Sequence, residues 1–331
     1  MQYNLIKDKV NFIYGDVRDK EKLKLAVRNQ DAIIHLAAET GTGQSMYEIS
    51  RYSEVNVQAT ANLLNILCNE SHNVKKLIVS STRALYGEGK YKCKVHGDVY
   101  PTFRNEHQMK NGFFDCYCPI CGEDLNLVST DEYSKIHPSS IYGITKSAQE
   151  QLIMTLGKNI GIQTFALRYQ NVYGPGQSLK NPYTGILSIF SNQILNGADI
   201  NIFEDGKESR DFIYIDDVVS ATSSMLKTDI STSDIFNVGS GKGITVIKVV
   251  DELMKNYNGN SEIKISGNFR VGDIRHNVAD IKKIQSAFNW KPKTDFEKGI
   301  EKFSQWVKMQ NREESLYLKS LAEMRTKGLL K

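Results

Sequence analysis

Apolar residues along this chain keep two alternating rhythms. Short apolar runs at Asp31–Ala38, Lys75–Ser80 and Thr164–Arg168 are separated by longer stretches at Asp19–Gln30, Ser53–Asn69 and Ser139–Lys158, where apolar positions recur at helical spacing. The runs predict buried strands and the stretches predict amphipathic helices. Val10–Val17 reads as one more strand, and Asp19 as a helix cap. Alternation of this kind, from Val10 to about Ile160, builds βαβ units on a parallel sheet. Beyond a loop rich in Gly, Pro and Asn from Gln170 to Tyr183 the order is mixed. There a helix is expected from Thr184 to Asn196, a strand around Asp199–Phe203, a helix over Asp216–Leu226 and a strand over Asp234–Val238. The stretch from Asn311 to Lys331 reads as a surface helix with Leu316, Leu318, Leu321 and Leu329 as its apolar residues.

Composition narrows the class. At 331 residues and 40% hydrophobic content, the chain is long enough to bury a large core in one or two lobes. No apolar run approaches the roughly 20 residues of a membrane span, and Met1–Asp8 lacks the apolar centre of a signal peptide. A cytoplasmic location without membrane contact is therefore expected. The net charge of +4 is spread along the chain rather than massed in a stripe, which gives nucleic-acid binding no support.

The chemistry concentrates in Ser139–Lys146, read together with Ser80-Ser81-Thr82. Tyr142 and Lys146 stand at i and i+4 of a helix capped by Ser139 or Ser140, so they share a face. A phenol titrates near pH 10; an ammonium close by favours the phenolate and makes it a usable base. Lys76–Thr82 is a short apolar run ending in hydroxyls, which places those hydroxyls at the carboxyl end of a buried parallel strand, where open α/β sheets bind ligands.

The polar stretch from Glu88 to His137 interrupts the alternation. It contains Cys93-Lys94-Val95-His96 and Cys116-Tyr117-Cys118-Pro119-Ile120-Cys121-Gly122. Cys-Pro-x-Cys-Gly is a knuckle, with Gly supplying the left-handed backbone that aims two thiolates at one ion. Cys93, His96, Cys118 and Cys121 are the expected ligands of a tetrahedral, structural zinc, with Cys116 or His107 as substitutes for His96. A disulfide is the alternative, disfavoured by a reducing compartment. Cys68, on an apolar helix face, reads as buried and inert.

Lys76–Thr82, Val10–Val17, Asp31–Ala38 and Leu167-Arg168-Tyr169-Gln170-Asn171-Val172-Tyr173-Gly174 together resemble the extended short-chain dehydrogenase/reductase family of NAD-dependent epimerases and dehydratases. The resemblance implies a Rossmann-like doubly wound sheet over residues 1–170, interrupted by the 88–137 zinc knuckle. A smaller substrate lobe over 171–310 and the tail 311–331 would follow. It implies that Asp16, Val17, Leu36, Ala37, Ala38, Asn56, Ser80, Tyr142, Lys146 and Tyr169 face a dinucleotide, NAD with NADP not excluded. Thr82, Tyr142 and Lys146 would be catalytic. Thr40, Gln44, Ser81, Thr82, Asn171, Arg210 and Arg275 would hold a nucleotide-diphosphate sugar, the arginines because their fork of donors suits phosphate. No Gly-x-Gly-x-x-Gly turn precedes Val10, and Gly239-Ser240-Gly241-Lys242-Gly243 lacks its spacing. The chain is therefore expected to begin after the family's first βαβ unit.

Where sugar-nucleotide dehydratases of the family carry Asp-Glu after the catalytic threonine, this chain has Arg83-Ala84. It thus lacks the acid and base of an elimination. The insertion, Ala38–Glu48 and Arg168–Gln177 look like the subgroup of dTDP-L-rhamnose 4-epimerases and related sugar-nucleotide epimerases. The implied activity is 4-epimerisation by transient oxidation and re-reduction at C4 with bound NAD, possible substrates including a dTDP-6-deoxyhexose such as dTDP-L-rhamnose. A 4-keto-sugar-nucleotide reductase using NAD(P)H is one alternative, and an inactive sugar-nucleotide-binding protein is another. A homodimer through the helices beginning near Ser53 and Ser139 is implied as well.

Overall fold

The computed structural model describes residues 6–181, 185–228, 232–310 and 316–331. Four parallel strands form the central sheet, in the order Ala32–His35, Lys76–Thr82, Gln163–Tyr169 and Asp234–Val238. Ala59–Asn69 crosses between the first two and Ile141–Asn159 between the next two, as the alternation of rhythms predicts. Successive side chains of a strand point to opposite faces. Leu77, Val79 and Ala166 accordingly pack on Leu63, Leu64 and Ile153 of those two helices. Ile78, Phe165 and Leu167 pack on the other side against Val218, Ala221 and Ile284. With both faces covered, the two middle strands are apolar through their centres, at Leu77–Val79 and Phe165–Leu167, and each fully buried Leu, Ile or Phe stabilises the fold by about 1.5–3 kcal/mol.

The caps follow the sequence. Asp19 accepts from the amides of Glu21 and Lys22 at the head of the Lys20–Val27 helix. Ser140 accepts from the Gly143 amide at 3.1 Å and starts Ile141–Asn159. Gly143 is required there: a Cβ would stand 2.7 Å from the Ala84 carbonyl oxygen and 2.8 Å from Pro138. The helix expected from Ser53 begins earlier, at Ile49, and its Ser53–Gln58 turn is π-helical.

Val10–Val17 is not a strand. No described strand pairs with it, and Phe12, Ile13 and Tyr14 are exposed. The expected tail helix is present as Tyr317–Thr326. It packs through Tyr317, Leu321 and Met324, whereas Leu318 is 76% exposed. The face thus runs through 317, 321 and 324, a spacing that Leu316 and Leu318 do not share. Residues 311–315, and Tyr183 and Thr184 of the two segments expected there, lie outside the described residues.

A second sheet is built on Ser209–Tyr214, which pairs with Gly243–Thr245, His276–Asn277 and Asn171–Tyr173. It backs the largest apolar cluster, which includes Phe190, Phe212, Ile300 and Phe303. The 88–137 segment carries its own small sheet of Tyr91–Cys93, Gly97–Val99 and Asn126–Leu127 and a short helix, Glu106–Lys110. Among the described residues no helix is long and apolar enough to cross a membrane.

Candidate active site

Thr82 ends its strand at the carboxyl edge of the sheet, and its Oγ1 accepts from the Ala84 amide at 3.2 Å, capping the 3₁₀ turn Arg83–Tyr86. Tyr142, one residue inside the Ile141–Asn159 helix, reaches the same point. The Thr82 hydroxyl nearby favours its phenolate, while burial, the larger influence, pushes the phenol upward. Tyr52 stands edge-on to it, with ring centroids 6.4 Å apart, and its own hydroxyl donates to the Thr40 carbonyl at 2.7 Å. Tyr52 thereby fixes the loop after the first strand against the reacting helix.

Lys146 stands one turn on along the helix, its side chain buried against the strand end. Its Nζ donates to the Ser80 carbonyl at 2.5 Å and to Gln149, and burial lowers its pKa to about 8. Beneath it His35, its pKa pushed down to about 4 by burial and by Lys146, bonds Thr60 and Gln149, each at 3.1 Å. Asn56 is wholly buried in the π-helical turn. It accepts from the Glu39 amide at 2.8 Å and donates to Thr145 and the Glu39 carbonyl, tying three elements together. A π turn at such a site re-aims one side chain without ending the helix.

Alternation along Lys76–Thr82 separates the three hydroxyls. Thr82 faces the phenol, and Ser80 donates to the His35 carbonyl at 3.4 Å. Ser81, expected to touch substrate, turns inward and donates to Glu150 at 2.5 Å. Glu150 is held bidentately by Arg168, both side chains being buried. Tyr169 turns its hydroxyl to Thr222, 2.7 Å away. Leu36 and Ala37 are exposed beyond the first strand. Asp16 is an exposed carboxylate held down to about 2 by Arg18, and Val17 stands beside it ahead of the first helix.

Two cavities flank this point. One, of about 200 Å³, is lined by Thr42, Arg83, Ser139, Asn171, Arg210 and Arg270 together with Phe190, Phe203 and Glu208. The other, of about 450 Å³, is lined by Ala38, Thr40, Gln44 and Arg51. In the first, Arg83 Nε donates to Asn171 Oδ1 at 2.7 Å. Arg210 is braced by the carbonyls of Ser209, Ile274 and Arg275 and by Asp273. Arg270 stacks over Phe203, 5.0 Å from the ring centroid.

Arg275 is not in that cavity. Its guanidinium is consumed by Asp115, Glu204 and Asp205 at 2.7–3.1 Å, and the residue is 1% exposed. Of the arginines at 270 and 275, sequence reasoning named the one the structure commits to carboxylates, and it did not place Arg83 or Tyr52 near the phenol. The strand end before Arg83 was the available signal for that residue.

A family model described as the NAD dependent epimerase/dehydratase family matches residues 2–104 and 118–239. The chain belongs to this family. The break in the match falls inside the 88–137 insertion of this epimerase/dehydratase-family chain. The chain is 34% identical over 304 residues to a dTDP-L-rhamnose 4-epimerase of Burkholderia thailandensis, covering 91% of the chain and 82% of the relative. It is 30% identical to a putative UDP-glucose 4-epimerase of Methanocaldococcus jannaschii, covering 93% and 88%. Among solved structures it is similar to a UDP-glucose 4-epimerase of Thermotoga maritima with UDP-glucose, at a TM-score of 0.73 and 26% identity, covering 91% of this chain and 86% of that one. A UDP-N-acetylglucosamine 4-epimerase of Methanobrevibacter ruminantium matches at a TM-score of 0.72 and 28% identity, covering 90% and 83%.

Away from the phenol, the insertion of this family member brings Cys93, His96, Cys118 and Cys121 together, all four ligand atoms within 4.8 Å of one another. Cys93 Sγ is 3.7 Å from both His96 Nδ1 and Cys121 Sγ, and Cys118 Sγ is 3.7 Å from His96 Nδ1. Ligands about 2.0–2.3 Å from a tetrahedral zinc stand about 3.5–3.8 Å apart, so the donors fit. Gly122 has φ +78°, as the knuckle requires. Cys116 lies elsewhere, buried beside Tyr91 and Glu88 with its thiol pushed up by burial, and His107 pairs with Asn111 on the short helix. Cys68 is exposed rather than buried.

Proposed function

We propose that this chain is an NAD-dependent nucleotide-sugar 4-epimerase. The observation that carries the reading is the Tyr142 phenol beside the Thr82 hydroxyl at the carboxyl edge of the sheet, next to a cavity lined by Arg83, Arg210 and Arg270. The residues fit the nicotinamide half of a dinucleotide: a phenol and a lysine share a helix face, and the exposed Ala37 leaves backbone approachable. Lys146, Tyr142 and the Leu36–Ala38 segment would hold it; bound NAD supplies the group that accepts a hydride from sugar C4 and returns it. Tyr142 as phenolate takes the proton of the 4-hydroxyl, with Thr82 sharing that hydrogen bond, and gives it back when C4 is reduced on its other face. The cavity arginines hold the diphosphate, so that binding energy remote from C4 keeps the sugar in place while it turns.

Likeness to the Burkholderia enzyme favours a dTDP-6-deoxyhexose such as dTDP-L-rhamnose as substrate. Arg83 in place of an acidic residue favours epimerisation over elimination. The Cys93, His96, Cys118 and Cys121 donors would hold a structural zinc, since four protein ligands leave no open position. Exposure of Ile49, Ile144 and Leu152 supports pairing of two chains through the helices that carry them.

The test is proton NMR of dTDP-L-rhamnose and UDP-sugars incubated with the chain and NAD. Inversion at C4 with no net change in dinucleotide absorbance is expected, and Tyr142→Phe should slow it by about 10²–10⁴-fold. Stoichiometric consumption of NAD(P)H with a 4-keto sugar would instead establish a reductase, and no turnover with no dinucleotide bound would establish a silent binding protein.

A further inference from the structure

Arg104 belongs to the 88–137 insertion, yet its strongest contacts lie outside it. Its side chain is 3% exposed. The two terminal nitrogens donate to Glu204 Oε1 and Oε2 at 2.7 and 2.8 Å, and one of them also donates to the Asp273 carbonyl at 2.9 Å. Within the insertion it meets the Phe114 carbonyl at 3.0 Å, and its Nε stands 3.3 Å from Glu88.

Both outside partners are wall residues of the arginine cavity. Glu204 follows Phe203, the ring on which Arg270 stacks. Asp273 Oδ1 accepts from Arg210 at 3.1 Å. One guanidinium is therefore a single residue removed from the supports of two cavity arginines. Glu204 also has φ +48°, a left-handed backbone that a glutamate keeps only where its surroundings hold it there. The holding groups are the Arg104 fork, Arg275 Nη1 at 3.1 Å, and the Asn268 carbonyl that accepts from the Glu204 amide at 2.8 Å.

Resting on the reading that this cavity holds the nucleotide diphosphate, we propose that Arg104 is a positioning residue for the substrate. Through Glu204 and Asp273 it fixes the wall that presents Phe203, Arg210 and Arg270, so the insertion completes a binding site that Arg104 itself does not line. Attachment of the insertion does not depend on this residue alone: Met109 and Phe114 pack on Phe269, Thr130 bridges Ala279, and Asp115 accepts from Arg275 at 2.8 Å. Loss of Arg104 leaves those ties in place and frees the turn at Glu204.

The experiment is calorimetric titration of the whole chain with dTDP and with UDP, followed by kcat and KM with dTDP-L-rhamnose. Arg104→Met is expected to weaken diphosphate binding about tenfold, within the range by which residues that touch no ligand modulate a site. KM should rise alike while kcat stays within about twofold, as loss of uniform binding requires. Arg104→Lys keeps the charge but loses the fork that spans Glu204 and Asp273, so it should show most of the same loss. Glu204→Gln takes a negative charge out of the cavity wall, which on charge alone would tighten binding. Weaker binding is expected instead, non-additive with Arg104→Met. The Lys and Gln variants decide the matter if Arg104→Met fails to fold. Unchanged affinity in a folded variant whose melting temperature alone falls overturns the proposal, and so does full recovery with Arg104→Lys. Binding needs no turnover, so Arg104-dependent affinity in a chain that epimerises nothing rejects the activity and keeps the positioning role. An active epimerase with Arg104-independent affinity does the reverse, and a chain that binds neither diphosphate overturns both.

Discussion

The central sheet is held by Leu77, Ile78, Val79, Phe165 and Leu167 pressed between helices on both faces, whereas the 88–137 insertion buries only Tyr91, Cys93, Val99, Cys116 and Cys118 in a core of its own. Met109 and Phe114 also pack on Phe269, and Thr130 bridges Ala279; charge adds the directional ties. Arg104 clamps Glu204 with two hydrogen bonds of 2.7–2.8 Å, and Arg275 reaches Asp115 of the insertion while holding Glu204 and Asp205. Apolar burial is non-directional and shared among many residues. Charge networks are directional, and a buried ion pair broken on one side leaves an unpaired charge. The two regions should therefore fail differently, one as a whole and the other piece by piece.

Removing the proposed zinc should give the largest separation between them. Structural zinc contributes about 10–16 kcal/mol to small metal-folded units, so a chelator, or Cys118→Ser, should abolish hydrogen-exchange protection across 88–137 and leave it intact over Lys76–Thr82 and Gln163–Tyr169. Simultaneous loss in both would show that the insertion and sheet are one cooperative unit. Next in size, Arg275→Ala and Phe165→Ala should each cost about 3–5 kcal/mol, with different reach. Urea unfolding of Phe165→Ala should remain a single transition at a lower midpoint, while Arg275→Ala should open the insertion in an earlier, separate step. The smallest effect belongs to acid. His35 has its pKa lowered to about 4 by burial, below the unfolded value of about 6.5, so its contribution to stability is complete above that value and is lost as pH falls from about 6.5 to about 4. The loss amounts to about 3 kcal/mol at most, and it falls on the sheet side. His35→Gln should flatten this limb of the stability-versus-pH curve measured by thermal melting, with the insertion unaffected.

The sheet was legible because each of its devices is local. Apolar runs, helical periodicity, the Ser140 cap and a strand ending in hydroxyls are all read within a few residues, and they locate Thr82 and Tyr142 together. The clustering of Cys93, His96, Cys118 and Cys121 was legible for the same reason. What escaped depends on contacts distant in sequence. Arg270 and Arg275 are equivalent as residue types five positions apart, and only Asp115 and Asp205, brought in from elsewhere, decide that the second is consumed structurally. Val10–Val17 has the composition of a strand, yet composition does not supply a neighbour to pair with. Lys146 has the right spacing to Tyr142, but Gln149 and the Ser80 carbonyl compete for its ammonium.

The opposite aims of Ser81 and Thr82 tie the chemistry to the parity of one strand. Deleting or adding a single residue between Lys76 and Ser81 would exchange the two hydroxyls, presenting to the phenol the one now committed to Glu150 and stranding that carboxylate's partner on the wrong side. The hydroxyl proposed as catalytic is thus specified by counting, through the bonding ladder to Gln163–Tyr169, and any length change tolerated here must come in twos.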